Sequence, residues 1–367
     1  MNTLLPSIQR GSTIILEDTN HCFDGQHITY GRSGLETQRA LADALATLEG
    51  GVHAKLFPSG LASISATLIA MLSPGDEILL IDSVYGRTRQ FCKTVLARLG
   101  ISCRFVPHNL SPDDLPNIAS EKTRVLFLES PASITFEIQD ISALTSAARN
   151  LGIISIVDNT WSAGELFKPL KNGADISLQS LTKYVGGHSD CFMGCAVFRD
   201  LALADRFARE YDIMGWATSP DDTYLMIRGL KTLRPRLALH AKAVTEVAEW
   251  LKTRKEVEHI LCPMLDSHPS HSLWKRDFSG HNGLLSIVLS KKYAETMASF
   301  LNSLKIFRLG FSWGGFESLA LDCTPQIALR TEISIFCGPV IRLHVGLEDE
   351  VSLIEDLEQA FHSMYKK

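Results

Sequence analysis

The sequence predicts an α/β protein, a large domain with a mostly parallel sheet followed by a smaller α+β C-terminal domain. From position 52 onward, short apolar runs alternate with stretches of helical spacing. That is the pattern of parallel strands joined by crossover helices and covered on both faces. Polar residues follow several of these runs, at Asp82, Glu129-Ser-Pro131, Asp158-Asn-Thr-Trp161 and around Lys183, and parallel sheets gather their ligands at such strand ends. After about Tyr211 the alternation gives way to long helices and two isolated strand runs.

In chain order, residues 1–45 read as an arm containing His27-Ile-Thr-Tyr-Gly-Arg32, leading into a helix over 35–48 that Gly50-Gly51 stops. Residues 52–57 alternate like a strand. Pro58-Ser59-Gly60 then opens a helix over 61–72, with Ser59 placed as its cap. A strand, a glycine turn and a helix start form an anion site, because Gly60 and Leu61 would point their N–H groups outward at the positive end of the helix dipole. Many α/β turns share this arrangement for structural reasons alone. Strands are expected at 77–82, 102–107, 124–128, 153–157 and 191–198, with Tyr85 at the opening of a helix that runs to about 99. Beyond them lie helices at 224–233, 237–254, 292–304 and 348–365, and strands at 283–289 and 340–345. The expected division is an arm at 1–45, a large domain at 46–225 and a C-terminal domain at 226–367.

With 367 residues, 45% of them hydrophobic and 21% charged, the chain can bury a full core and divide into two domains. A net charge of -5 without a long basic run gives no reason to expect nucleic acid or a membrane as partner. Small molecules fit better. No apolar run approaches the roughly 20 residues of a membrane span, and residues 1–12 lack the apolar core of a signal peptide, so the expected location is the cytoplasm. Eight cysteines without a Cys-x-x-Cys pair read as reduced, mostly buried thiols, and no metal site is expected.

The chemistry centres on Asp175 to Asp190, where an apolar strand turns into a glycine-rich loop around Lys183. A buried ammonium loses hydration and its pKa falls. An amine that is neutral part of the time forms a Schiff base with a carbonyl, and pyridoxal phosphate is the common biological partner. A lone Lys-Tyr pair in a turn is more simply a surface lysine, so its neighbours decide. Ser180 and Thr182 alternate with Leu181, so in an extended segment both hydroxyls share a face and reach a phosphate. Asp158 is either a cap or a carboxylate beside a pyridine nitrogen, which would keep that nitrogen protonated and make the ring an electron sink. Arg342, among apolar neighbours, needs an anion: either a structural carboxylate or a substrate carboxylate held bidentately.

Longer motifs carry a resemblance: Tyr30-Gly-Arg32, Phe57-Pro-Ser-Gly60, Glu129-Ser-Pro-Ala-Ser-Ile134, Asp158-Asn-Thr-Trp-Ser-Ala-Gly164, Ser180-Leu-Thr-Lys-Tyr-Val-Gly-Gly187, Trp274-Lys-Arg-Asp-Phe278, Phe311-Ser-Trp-Gly-Gly-Phe-Glu-Ser318 and Ile341-Arg-Leu-His-Val345. From about Gln9 the chain resembles the cysteine and methionine metabolism enzymes that use pyridoxal phosphate, of the aspartate aminotransferase fold, fold type I, with a seven-stranded sheet. The resemblance implies that Lys183 carries the cofactor, Asp158 pairs with its ring nitrogen, and Tyr85 stacks on the ring and helps manage protons. Gly60, Leu61, Ser180 and Thr182 would hold the phosphate. Tyr30 and Arg32 would reach the phosphate of a neighbouring subunit. Ser312, Trp313 and Arg342 would bind substrate. The family is typically a homotetramer, a dimer of dimers with shared sites. Members acting at the γ-carbon tend to have Leu at position 313 and Asn at 133. Trp313 and Ser133 here resemble the bacterial cystathionine β-lyase branch, which implies cleavage of cystathionine in methionine biosynthesis. Phe311 stands where that branch's enterobacterial members are expected to have tyrosine. A γ-synthase, a γ-lyase or a non-catalytic relative are the rival expectations.

Overall fold

The structure is a computed structural model that describes residues 3–25, 27–331 and 336–365. Its first sheet has seven strands: β1 (His53–Phe57), β2 (Glu77–Ile81), β3 (Ser102–Val106), β4 (Thr123–Glu129), β5 (Ile154–Asp158), β6 (Ile176–Ser180) and β7 (Gly194–Phe198). They lie in the order β1-β7-β6-β5-β4-β2-β3. Only β7 runs against its neighbours, and the rest of the sheet is parallel. Near-continuous apolar runs such as Ile78–Ile81 and Val125–Leu128 are fully buried, as a sheet covered on both faces requires.

Helix α1 (Glu36–Glu49) turns Leu41 and Leu45 into the core and ends at Gly50, which is in the left-handed conformation at φ 76°. Helix α2 (Gly60–Met71) has apolar or small residues nearly all round, and packs against β6 and β7. Helix α3 (Gly86–Phe91) opens after Tyr85, but the helix expected to reach position 99 is interrupted by a π turn at Cys92–Leu96. The expected strand from 191 begins only at Gly194, leaving Cys191 in the preceding loop.

The second sheet contains β8 (Val257–Leu261), β9 (Leu284–Leu289), β10 (Arg308–Leu309), β11 (Leu319–Asp322) and β12 (Val340–His344), in the order β10-β11-β12-β9-β8. The sequence reveals only β9 and β12 because these are mostly apolar and wholly buried. Strand β8 exposes Glu258 and His259 at the sheet edge, while β10 and β11 are too short for a periodic signal. The helix expected at 292–304 is a 3-10 segment, Lys291–Thr296, followed by α-helix Met297–Ser303.

Candidate active site

The carboxyl ends of β4, β5 and β6 lie level, with Glu129 opposite Asp158 and Asp158 opposite Leu178. A cavity of about 360 Å³ opens there. Every residue assigned to the site from the sequence lines it, except Tyr30 and Arg32. A larger cavity of about 1090 Å³, bordered by His108, Glu137, His259 and His268, contains none of them.

At one end of the smaller cavity α2 begins. Ser59 caps it: its Oγ accepts the Ala62 N–H at 3.1 Å and its carbonyl accepts the Ser63 N–H at 3.1 Å. The N–H groups of Gly60 and Leu61, which precede any intrahelical acceptor, are left for an anion. A Cβ on Gly60 would lie 2.4 Å from Ser180 Cβ and 2.6 Å from its Oγ, so only glycine lets the helix start come this close to β6. Strand β6 ends at Ser180, so the extended alternation expected through Thr182 does not occur. Instead a turn presents Thr182, whose hydroxyl donates to the Met193 carbonyl at 3.2 Å and accepts the Met193 N–H at 3.0 Å.

Thr160, which sequence reasoning passed over, links the two ends of the site. Its hydroxyl donates to Asp158 Oδ1 at 2.5 Å and accepts the Ser180 N–H at 2.9 Å. Its own N–H donates to the same Oδ1 at 3.0 Å. Asp158 Oδ2 is therefore without a protein donor among the described residues. Burial raises the Asp158 pKa, against the pull of the Thr160 bonds. A cation beside Oδ2 would favour the carboxylate.

Lys183 Nζ donates to Ser312 Oγ at 2.8 Å and lies 5.3 Å from the centre of the Trp313 ring. Burial, and secondarily the charge of Arg342, lower its pKa to about 8. The loop bringing Ser312 and Trp313 rests directly on the lysine backbone. Gly314 has φ +88°, and a Cβ there would meet Lys183 and Tyr184 backbone atoms at 2.9 Å. Its N–H donates to His344 Nε2 at 3.0 Å. Arg342 is buried and donates to the carbonyls of Phe311 at 3.0 Å and Ser312 at 3.1 Å. No carboxylate pairs with it among the described residues.

Glu129 was visible in the sequence as a polar residue at a strand end and part of a motif, without a role. Its Oε2 accepts the Tyr85 N–H at 2.6 Å, and its carboxyl is raised well above its usual range, first by burial and then by the charge of Asp158. Tyr85 itself is 43% exposed at the cavity, with its phenol raised chiefly by burial. Arg32 stacks over the Tyr30 ring at 5.1 Å, and neither residue lines the cavity of its own chain.

A lysine of lowered basicity, a carboxylate with a free oxygen, and a glycine-lined helix start make a donor set that fits pyridoxal phosphate. The fold is that of the type I pyridoxal phosphate enzymes. The chain belongs to the Cys/Met metabolism PLP-dependent enzyme family, whose model matches residues 1–362. It is 40% identical to a cystathionine beta-lyase of Bordetella avium, over 97% of this chain and 91% of that one. It is 38% identical to the cystathionine beta-lyase of Escherichia coli strain K12, over 96% and 92%. A crystal structure of metB from Corynebacterium glutamicum superposes with a TM-score of 0.92 at 30% identity, covering 99% of this chain and 94% of that one.

Proposed function

We propose that the protein is a pyridoxal phosphate-dependent carbon–sulfur β-lyase that cleaves L-cystathionine, with water, to L-homocysteine, pyruvate and ammonia in methionine biosynthesis. The observation that carries this reading is Lys183 Nζ, held 2.8 Å from Ser312 Oγ in one cavity with Asp158 and Arg342. Pyridoxal phosphate, when bound, supplies an aldehyde that captures amines and a ring that spreads the electron pair released at Cα. The N–H groups of Gly60 and Leu61 and the hydroxyl of Ser180 would hold its phosphate, joined by the Thr182 hydroxyl once it turns its proton from the Met193 carbonyl; Asp158 would hold its ring nitrogen, Tyr85 its ring face and Lys183 its aldehyde carbon.

Arg342 pairs with the substrate α-carboxylate and so sets the direction of the Cα–H bond. Lys183 Nζ, steadied by Ser312, is the base that takes the Cα proton. Loss of the thiolate at Cβ then needs only a proton returned to sulfur. Chemistry at the γ-carbon needs a second proton removed from Cβ. Trp313 and Ser133 line the cavity at the positions where γ-acting members tend to carry Leu and Asn, and this supports β-elimination. The names of the relatives support it too.

Purified protein given cystathionine should produce pyruvate and homocysteine. Formation of 2-oxobutyrate would instead establish a γ-lyase, and no keto acid at all would overturn the lyase reading in favour of a γ-synthase or a non-catalytic relative. We also propose a cytoplasmic homotetramer in which the arm, residues 1–45, carries Tyr30 and Arg32 to a neighbour's phosphate site, with the large domain at 46–225 and the smaller at 226–367. Exposed Leu4, Ile15 and Phe23 on the arm support its being covered by another subunit. Among the described residues no helix is long and apolar enough to cross a membrane.

A further inference from the structure

Glu49, the last residue of α1, is wholly buried, and the chemistry above makes no use of it. Its two oxygens accept the Asn159 side-chain amide at 3.2 and 3.1 Å, and Oε1 also accepts the Gln179 amide. Asn159 follows Asp158 and Gln179 precedes Ser180. Because successive side chains of an extended chain point to opposite faces, the carboxyl of Glu49 holds the reverse side of the two strand ends whose front bears the cofactor residues. The backbone reinforces the junction, since the Asn159 N–H donates to the Leu178 carbonyl at 2.8 Å. Gly164 closes over the cluster: a Cβ there would lie 2.8 Å from Gln179 Nε2 and 3.0 Å from Glu49 Oε1. Lys168, the cation nearby, spends its ammonium on the carbonyls of Leu48 and Gly164. Burial pushes the Glu49 carboxyl up to about 7, against the pull of Gln179, Asn159, Ser177 and Lys168.

We propose that Glu49 is a positioning residue, which sets from α1 the spacing between the ends of β5 and β6 and thus between Asp158 and the turn from Ser180 to Lys183. The inference rests on the assignment of those residues to pyridoxal phosphate. A carboxylate suits the place because it only accepts, and both partners are amide donors. Removing it leaves the buried Gln179 amide without an acceptor, leaves the Asn159 amide only the Phe167 carbonyl at 3.1 Å, and frees the strand ends to shift.

The test compares wild type, Glu49→Ala, Glu49→Gln and Lys183→Ala, each reconstituted with pyridoxal phosphate at a temperature where far-UV circular dichroism shows every variant folded. Cofactor affinity is read by equilibrium dialysis and cofactor seating by the circular dichroism of the visible band. Glu49→Ala should lose about tenfold in cofactor affinity, the loss expected from one orphaned buried donor, and its visible band should weaken. Its kcat should fall more than its KM rises. Glu49→Gln keeps the size and one acceptor but sets a donor against donors, and should lie between Ala and wild type. If Glu49→Ala fails to fold, Glu49→Gln carries the decision alone. A folded Glu49 variant with wild-type affinity and wild-type visible dichroism overturns the proposal. A wild-type protein without the visible band that Lys183→Ala must lack would instead overturn the functional reading beneath it.

Discussion

Lys183 acts at a basicity its surroundings impose. Burial and the charge of Arg342 move it down to about 8 from the ordinary value of 10.5. The unfolded chain therefore binds more protons between about pH 8 and 10.5, so this group's contribution to stability rises with pH across that window, and its full penalty is present below 8. Two outcomes follow. The rate at which apo-protein takes up pyridoxal phosphate should rise through about pH 8 and then level off, measured by the growth of the yellow band. Lys183→Ala should lose the band and at least about 100-fold of the lyase rate; wild-type turnover would sink the assignment. Glu129 gives a second test at this scale. Since burial and Asp158 both push its carboxyl up, Glu129→Gln should keep most of the stability and activity. Glu129→Ala should lose about 1–3 kcal/mol by leaving the Tyr85 N–H without its acceptor. Thermal melts and kcat for the pair decide it, and equal behaviour of the two variants would contradict it.

At the scale of elements, the start of α2 and the end of β6 form one unit. Helix and strand meet only because position 60 lacks a side chain. Gly60→Ala would set a methyl 2.4 Å from Ser180 Cβ, and the forced separation should cost about 1–3 kcal/mol together with weaker cofactor binding. A melt and a dialysis on the same sample check both. The helix–strand alternation of the first sheet was legible in the sequence because its strands are short runs bounded by turns, mostly apolar as in β2 and β4 or alternating as in β1. Strands β8, β10 and β11 were not legible. Edge exposure or shortness erases their periodicity, and the pairing of β8 with β9, β11 with β12 and β10 with β11 is what makes them strands.

For the whole molecule, the informative fact is that Tyr30 and Arg32 stand outside their own chain's cavity. If they complete a neighbour's site, then mixing inactive Arg32→Ala with inactive Lys183→Ala subunits should restore about a quarter of wild-type activity, because random pairing in a symmetric dimer leaves one intact site in half of the pairs. Dissociating and reassociating the two variants before assay makes the measurement. No recovery in reassembled mixtures would remove the shared site.

The sequence by itself determined the α/β class and the helix start at Ser59-Gly60, and singled out Lys183, Asp158 and Arg342, which line one cavity, because strand period, capping and buried charge are written in residues close together in the chain. Tertiary structure decided what each of them faces. Ser312 meets Lys183 across 129 positions and Glu49 meets Gln179 across 130, and no local pattern records such contacts. It also gave Arg342 the carbonyls of Phe311 and Ser312 as partners, revealed Glu129 beside Asp158 through strand register, and turned Thr182 towards Met193. Burial and hydrogen bonding depend on which elements pack together, and so does the fall of the lysine pKa on which the proposed chemistry rests.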